Sequence, residues 1–559
     1  MSNVGIADCA EDDGRMRDQQ QTSSTLTTVI GFVLVAAILI LSQIFLRPRQ
    51  APPAASPAQP APRAETTKSA PLELEPAQAP SLVALSVEPA PESIVTLEND
   101  LIRVEFTSAG GSVRSALMKK YKAEVVPQGT SLLSTAVELP QGWVSTDATP
   151  MQVTRSDSSV TFTARADSLI LTKTYTLGKD YTLDCRVSLA GAARGFAVDG
   201  MAGIAITERN VKEGLAHFHF YARVGKKLHQ TPAGKLKKPQ GMCEAAEWVG
   251  VKSKYFLLAV MACNRTFDST YAVSLEDGRV GFSAVVKNPA PETQFSVYLG
   301  PLEYDRLRAF GLGLENVIGL GWTRPIALAM LWLLRLLHAV VRNWGLAIIV
   351  FAVLMKLIFY PLTRTQTKQM RQMQLLQPKL NELKTKYKND AQKLNAETMQ
   401  LYRLYKINPA SGCLPLLIQL PVFWALYAVL RNAIELRGAG LGLWLNDMSQ
   451  PDALFGRLPN GLPMVGGAAI GLVPILMGAS SIIQTLITSA DKRNIAMTII
   501  MPVFITLIFL NMPSGLQLYW FMYNVLSIGE SLIAMKGGMP WRRPKSRREP
   551  LLATTPPQK

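Results

Sequence analysis

The chain has 559 residues, with 58 Lys or Arg against 41 Asp or Glu and a formal net charge of +17. Apolar residues make up 48% of it and charged residues 18%. That composition excludes both a wholly soluble protein and one wholly buried in lipid, so the chain combines membrane segments with water-exposed domains.

Residues 1–25 are polar and acidic at Glu11, Asp12 and Asp13. The apolar run 26–46 follows. It is longer than a signal-peptide core, its leading segment is acidic and no small-x-small site closes it before Arg47, so it reads as an uncleaved anchor. Residues 47–92 are dominated by Pro and Ala and carry few large apolar side chains, which predicts an extended, disordered linker.

From 93 to 305 the pattern changes to short β-favouring runs: IRVEFT, GSVRSALM, SVTFTARA, LILTKTYTLGKDYTLDCRVSL and TQFSVYLGP. The alternation on either side of Gly178-Lys179-Asp180 is a hairpin signature. These runs predict one all-β, sandwich-like domain outside the membrane. Cys185, Cys243 and Cys263 fall within it, without a CxxC pair; at most one disulfide is possible, and buried thiols fit equally well. His217 and His219 would share a strand face near His229, but no third ligand is evident, so ordinary histidines and no metal are expected.

Residues 322–341 are apolar, yet Arg324, Arg335 and Arg342 fall within roughly 20° of one another on a helical wheel, with His338 alongside. This predicts an amphipathic helix lying in the outer interface. Five further runs, at 344–362, 413–430, 467–488, 495–512 and 515–535, approach the about 20 residues that a helix needs to cross hydrocarbon. Six spans result. Lys356 lies inside the second of them, and only Glu530 in the last is an acidic candidate partner. A cation at that depth faces protein, water or a partner, or else snorkels toward Pro361.

The insert 364–406 carries ten Lys or Arg against Glu382, Asp390 and Glu397. Met373, Leu376, Leu380, Leu383 and Tyr387 recur at helical steps, as do Leu394, Thr398, Leu401 and Tyr405, and Asn389-Asp390 supplies the turn. A helical hairpin is expected, with Pro378 kinking or restarting its first helix. This insert, the turn Asp491-Lys492-Arg493 and the tail 536–559 are all basic and fall on one side if there are six spans. The asymmetry places them, and both termini, in the cytoplasm. Arg47 and Arg49 are discordant, and the parity of the other five spans outweighs them.

Three segments, NWGLAIIVFAVLMKLIFYPLTRTQTKQMRQMQLLQPKL, LYKINPASGCLPLLIQLPVFWALYAVL and MPVFITLIFLNMPSGLQLYWFMYNVLS, occur in that order. Together they resemble the YidC/Oxa family of membrane protein insertases over 322–535, and the anchor, linker and β domain resemble its Gram-negative YidC branch. The resemblance implies a polytopic α-helical membrane protein of the inner membrane: six transmembrane helices, a five-helix insertase core within 343–535 and a large all-β periplasmic super-sandwich. The core would enclose a hydrophilic groove open to cytosol and lipid but closed to the outside. Lys356 falls at the family's groove arginine, keeping the charge but not the planar fork. Ala352 replaces the family's threonine one turn earlier, and Trp520, beside Tyr519, falls at its last-span aromatic. Gln484 and Gln517, like Gln419 and Asn524, either hydrate this groove or hydrogen-bond between helices.

The implied activity is insertion and folding of hydrophobic segments, alone or with the Sec translocon (SecYEG) and its accessory subunits. Implied partners are nascent membrane proteins, the ribosome, the receptor of the signal recognition particle and membrane lipids. Arg371, Lys379, Lys384 and Lys386 of the hairpin and Arg542, Arg543, Arg547 and Arg548 of the tail are the candidate contacts for client, ribosomal RNA or anionic lipid. No cofactor and no enzymatic activity are expected. There is no GxxxxGK[ST] loop, no HExxH motif and no serine on the helix of Lys356.

Overall fold

The computed structural model describes residues 91–535 except 167–168, 209, 237, 389, 406–413, 460–465 and 489–495. The anchor, the linker up to residue 90, the turn at Asp491-Lys492-Arg493 and the tail with Arg542, Arg543, Arg547 and Arg548 therefore lie outside the described residues. The chain forms two compact units, which divide between Ile318 and Gly319.

The first unit is built from antiparallel strands. Ile94–Glu98, Ile102–Thr107, Ser112–Met118 and Ala123–Glu124 form a four-stranded meander. A nine-stranded sheet runs in spatial order Lys227–Pro232, His219–Val224, Trp248–Lys252, Phe256–Ala262, Thr293–Pro301, Thr182–Ala190, Leu169–Leu177, Ser159–Ala166 and Gln152–Arg155. A six-stranded sheet is ordered Gln240–Met242, Ser269–Ser274, Val280–Lys287, Gly195–Asp199, Ser134–Leu139 and Gly142–Ser145. Val280–Lys287 packs across onto His219–Val224 and Trp248–Lys252, so two large sheets close one core, as the alternating runs predicted. The expected hairpin is present: Leu177 pairs with Leu183, and Gly178 N–H donates to Thr182 O across the turn.

Short helices α1 (Val211–Leu215) and α2 (Tyr304–Ala309) complete the unit. It runs on to Ile318, past the 305 expected from sequence, because Trp248 Nε1 and Arg223 both donate to Leu312 O and pin the following segment to the sheet. Cys185 is a buried free thiol and Cys263 an exposed one. His217 precedes the strand that starts at His219, and His229 stands opposite Ala222, so the strand face expected to carry two imidazoles carries one. Among the described residues no three potential metal ligands gather.

The inner face of Leu169–Leu177 carries an unusual charge. Lys173 is fully buried, and its Nζ donates to Gly110 O at 2.9 Å and Leu133 O at 3.1 Å. Burial pushes its pKa down to about 8. The lysine ties two loops to the large sheet.

The second unit is helical. Its helices are α3 (Arg324–Val341), α4 (Trp344–Lys386), α5 (Ala391–Leu404), α6 (Leu414–Asn432), α7 (Leu472–Thr488), α8 (Met501–Phe509, preceded by a π turn at Ala496–Ile500) and α9 (Ser514–Met535). By length and composition, two segments among the described residues are long and apolar enough to cross a membrane: Gly321–Val341 and Trp344–Pro361. Helices stand at the other expected core spans, but the count of six is not established by them.

Several expectations change in detail. The helix from Trp344 passes Pro361 and Pro378 without interruption and joins the core to the hairpin, so the hairpin's first helix is not a separate element. Each proline removes one hydrogen bond, and around Pro378 the neighbouring turns are held by buried Leu376 and Leu380. The helix expected from 467 starts at Leu472, because Gly467 is left-handed (φ 74°) and the side chain of Asp452 reaches in to accept from Val473 N–H at 2.9 Å. On α3, Arg342 leaves the helix as a left-handed C-cap (φ 52°), so the three arginines do not form one helical stripe.

Candidate functional site

Two helices meet around Lys356, α4 and α9. Their local sequences explain how. Asn343 caps α4 by accepting from Leu346 N–H, and its Nδ2 reaches Leu441 O in the loop between α6 and α7. Gly345 allows that loop close, since a Cβ there would lie 2.5 Å from Leu441. The same loop seats the start of α9: Ser514 N–H donates to Gln450 O and Gly515 N–H to Met448 O. With both helices anchored at this end, α4 and α9 run side by side in the same direction.

Lys356 on α4 and Tyr523, Ser527 and Glu530 on α9 face one another at this contact. Lys356 Nζ lies 2.8 Å from Glu530 Oε2, donates to Ser527 Oγ at 2.8 Å and stands 4.8 Å from the centroid of the Tyr523 ring. The hydroxyl of Thr363, seven residues further along α4, lies 3.3 Å from Glu530 Oε1 and 3.1 Å from Tyr360 O and shares its one proton between them. The ammonium and the carboxylate are about nine-tenths buried, with side-chain exposures of 10% and 9%. Groups on two helices hold the pair. Removing one partner of such a buried pair costs about 3–5 kcal/mol, because it strands the other charge.

Glu530 is thus the partner the sequence offered, and Lys356 does not snorkel away from it. Ser527 also puts a hydroxyl beside the lysine from another helix. Its oxygen accepts from the ammonium while its proton goes to Tyr523 O at 2.8 Å. That is the reverse of a serine nucleophile delivering its proton to a lysine base.

The other expected residues divide. Tyr519 is buried, near Phe351 of α4 at 6.1 Å between centroids, and its hydroxyl accepts from Gln419 Nε2 on α6 at 3.2 Å. Trp520 points the other way, into an aromatic cluster with Phe423 of α6 at 5.7 Å and Phe509 of α8 at 5.3 Å. Gln517 lies away from Lys356: its Nε2 donates to Phe509 O and Met512 O and clamps the turn from α8 to α9. Asn524 donates to Ser480 and Ser481 Oγ on α7, a helix-to-helix bond. Gln484 is half-buried one turn beyond Ser480. Ala352 is fully buried.

On the hairpin, α5 has the expected cap, with Asp390 accepting from Lys393 N–H at 2.9 Å. Lys379 donates to the Tyr405 hydroxyl across the hairpin, so it braces the two helices. Lys384 and Lys386 are exposed, and the Arg371 side chain lies outside the described residues.

Sequence reasoning missed Gln374, whose Nε2 donates to Ile487 O and Thr488 O at 3.1 Å each and so satisfies the last carbonyls of α7. It also missed Asp452 and Glu435. The latter accepts from Arg335 Nε at 3.0 Å and fixes α3 beside α6. Tyr523, Ser527 and Ser531 were missed too, yet with Glu530 they carried a readable signal, polar groups three and four residues apart on one face of an apolar run.

Residues 94–333 match the family described as YidC periplasmic domain, and 336–540 match the one described as 60Kd inner membrane protein. Membrane protein insertase YidC of Syntrophus aciditrophicus (strain SB) is 32% identical over 552 residues, an alignment that covers 90% of this chain and 98% of that one. The chain belongs to the YidC/Oxa family. Its YidC relative from Pelobacter propionicus is 33% identical over 494 residues, covering 82% of this chain and 89% of that one. The relative from Chlorobaculum parvum is 32% identical and covers 90% and 93%. An active YidC insertase whose crystal structure resolves the first transmembrane domain aligns over 78% of this chain and 92% of its own, at 20% identity and a TM-score of 0.37, too loosely to carry a structural argument. The two family matches together span the described β unit and the helical unit.

Proposed function

We propose that this protein inserts and folds apolar segments of nascent membrane proteins in the inner membrane, through a polar path beside α4 and α9, alone or together with the Sec translocon. The observation that carries the reading is the polar cluster of Lys356, Glu530, Ser527, Tyr523 and Thr363, held where the apolar first half of α4 meets α9. Polar groups at membrane depth serve function by default, because each is costly to place there. The relatives' name, membrane protein insertase, supports the same reading.

The reaction is a transfer and not a chemical conversion, so the protein acts as an insertase and not as an enzyme. A client helix gains about 0.3–0.6 kcal/mol for each strongly apolar residue that enters lipid. Carrying the polar flank across hydrocarbon opposes this. A polar path shortens the dry distance, after which the apolar segment leaves sideways into lipid. With six spans, both termini and the hairpin lie in the cytoplasm and the β unit in the periplasm, and α3 lies along the outer interface, where its Arg335 bonds Glu435 beside α6. Exposed Lys384 and Lys386, with the basic tail, face the ribosome or anionic lipid.

The test is reconstitution. Purified protein in liposomes, supplied with a single-span client and no nucleotide, should protect the client's span from protease well above protein-free liposomes. Equal protection in both refutes the function. Cysteine labelling at Lys388 and Gly178 checks the topology, and labelling of both from the same side overturns it.

A further inference from the structure

We infer that Glu530 is a built-in competitor for the client: the carboxylate that an acidic flank must displace from Lys356, so that acidic clients are passed on and not retained. The inference rests on the insertase reading above and assigns a specificity-determining residue within it.

The geometry points to exchange. The Lys356 ammonium already meets Glu530 Oε2, Ser527 Oγ and the face of Tyr523 within the protein. A lone buried ammonium would hold any carboxylate strongly, since charges attract far more in a low-dielectric interior than in water. A retained client is a blocked insertase. Beside Glu530, an incoming Asp or Glu side chain gains only the difference between its own contacts and those it replaces. The displaced Glu530 is not orphaned, because its other oxygen lies 3.3 Å from the Thr363 hydroxyl, whose proton it shares with Tyr360 O. Lys356 and Thr363 lie seven residues apart on one face of α4, and Tyr523, Ser527 and Glu530 repeat at four and three on the facing side of α9. Glu530 therefore reaches both Lys356 and Thr363 from one position on α9, and losing the first contact leaves it beside the second. Flanks without a carboxylate have nothing to exchange, and the pair stays closed to them.

The experiment uses the full-length protein in vesicles of net-neutral lipid and three single-span clients that differ only in a flank of Glu, Gln or Lys, each with a photocrosslinker in that flank. The readout is the ratio of acidic-flank to neutral-flank crosslinks, followed over time. Glu530→Gln should raise that ratio by about tenfold and slow its decay. An unchanged ratio, or an equal rise for all three flanks, overturns the inference. Should that variant fail to fold, the charge swap Lys356→Glu with Glu530→Lys keeps the pair and tests the same point. The swap should move the preference from acidic to basic flanks, and an unmoved preference is a refutation. Wild-type protein that inserts none of the clients removes the insertase reading and this inference together. Wild-type insertion with an unmoved ratio in the variants removes this inference alone.

Discussion

The Lys356–Glu530 pair makes a quantitative prediction about stability that is separate from transport. Lys356→Met leaves Glu530 nine-tenths buried with Thr363 as its remaining partner, at 3.3 Å, so the loss should reach about 3–5 kcal/mol. Glu530→Leu leaves Lys356 with Ser527 at 2.8 Å and the Tyr523 ring at 4.8 Å. A desolvated cation over an aromatic ring recovers up to about 2 kcal/mol, so this variant should lose less, roughly 2–3 kcal/mol. The double variant Lys356→Met with Glu530→Leu strands no charge and should come within about 1 kcal/mol of wild type. The coupling energy of the cycle should therefore amount to most of the two single losses combined. Reversible unfolding in mixed micelles, titrated with a denaturing detergent, measures all four. If the double variant loses as much as both singles added together, the two residues act independently and the ion pair is not what holds α4 to α9.

Between pH 8 and 10.5 unfolded chains carry more protons at Lys173 than folded ones, whose ammonium gives up its proton near pH 8, so its contribution to β-unit stability rises as pH rises. From pH 8 to 9 the gain should be about 1 kcal/mol, of which the Cys185 thiol, pushed up by burial to about 12, takes back about a third. Urea unfolding of the β unit at both pH values should show this rise in wild type and lose it in Lys173→Met; identical slopes in the two refute the assignment. Gln374→Ala removes two bonds to the end of α7 and should destabilise that end by about 1–2 kcal/mol, seen as faster amide exchange in the last turn of α7 with no change in the β unit. Unchanged exchange there shows that the α4 extension does not brace α7.

The sequence alone determined what depends on local pattern. The two-residue period of LTKTYTL and TLDCRVS around Gly178 specified a hairpin because alternate side chains must fall on opposite faces, and the pairing of Leu177 with Leu183 follows that register. Asp390 was legible as a cap because its partner, the Lys393 amide, lies three residues away. Even the partner of Lys356 was legible, by elimination, since Glu530 is the acid its expected spans contain. What the tertiary structure decided are contacts whose two halves lie far apart in the chain. Nothing near Asp452 marks it as the cap of α7, because the amide it satisfies belongs to Val473 and comes within reach only when the intervening loop folds back. Gln517 and Tyr519 are two residues apart on one helix, so they point in different directions. Packing sends Tyr519 toward Phe351 and Gln517 toward the α8–α9 turn. Pro378 looked like a break because the rule for proline is local, whereas the helix persists because Leu376 and Leu380 are buried on either side of it. Periodicity and capping act over a few residues and can be read in one dimension; which polar group meets which across helices is fixed only by how the helices pack.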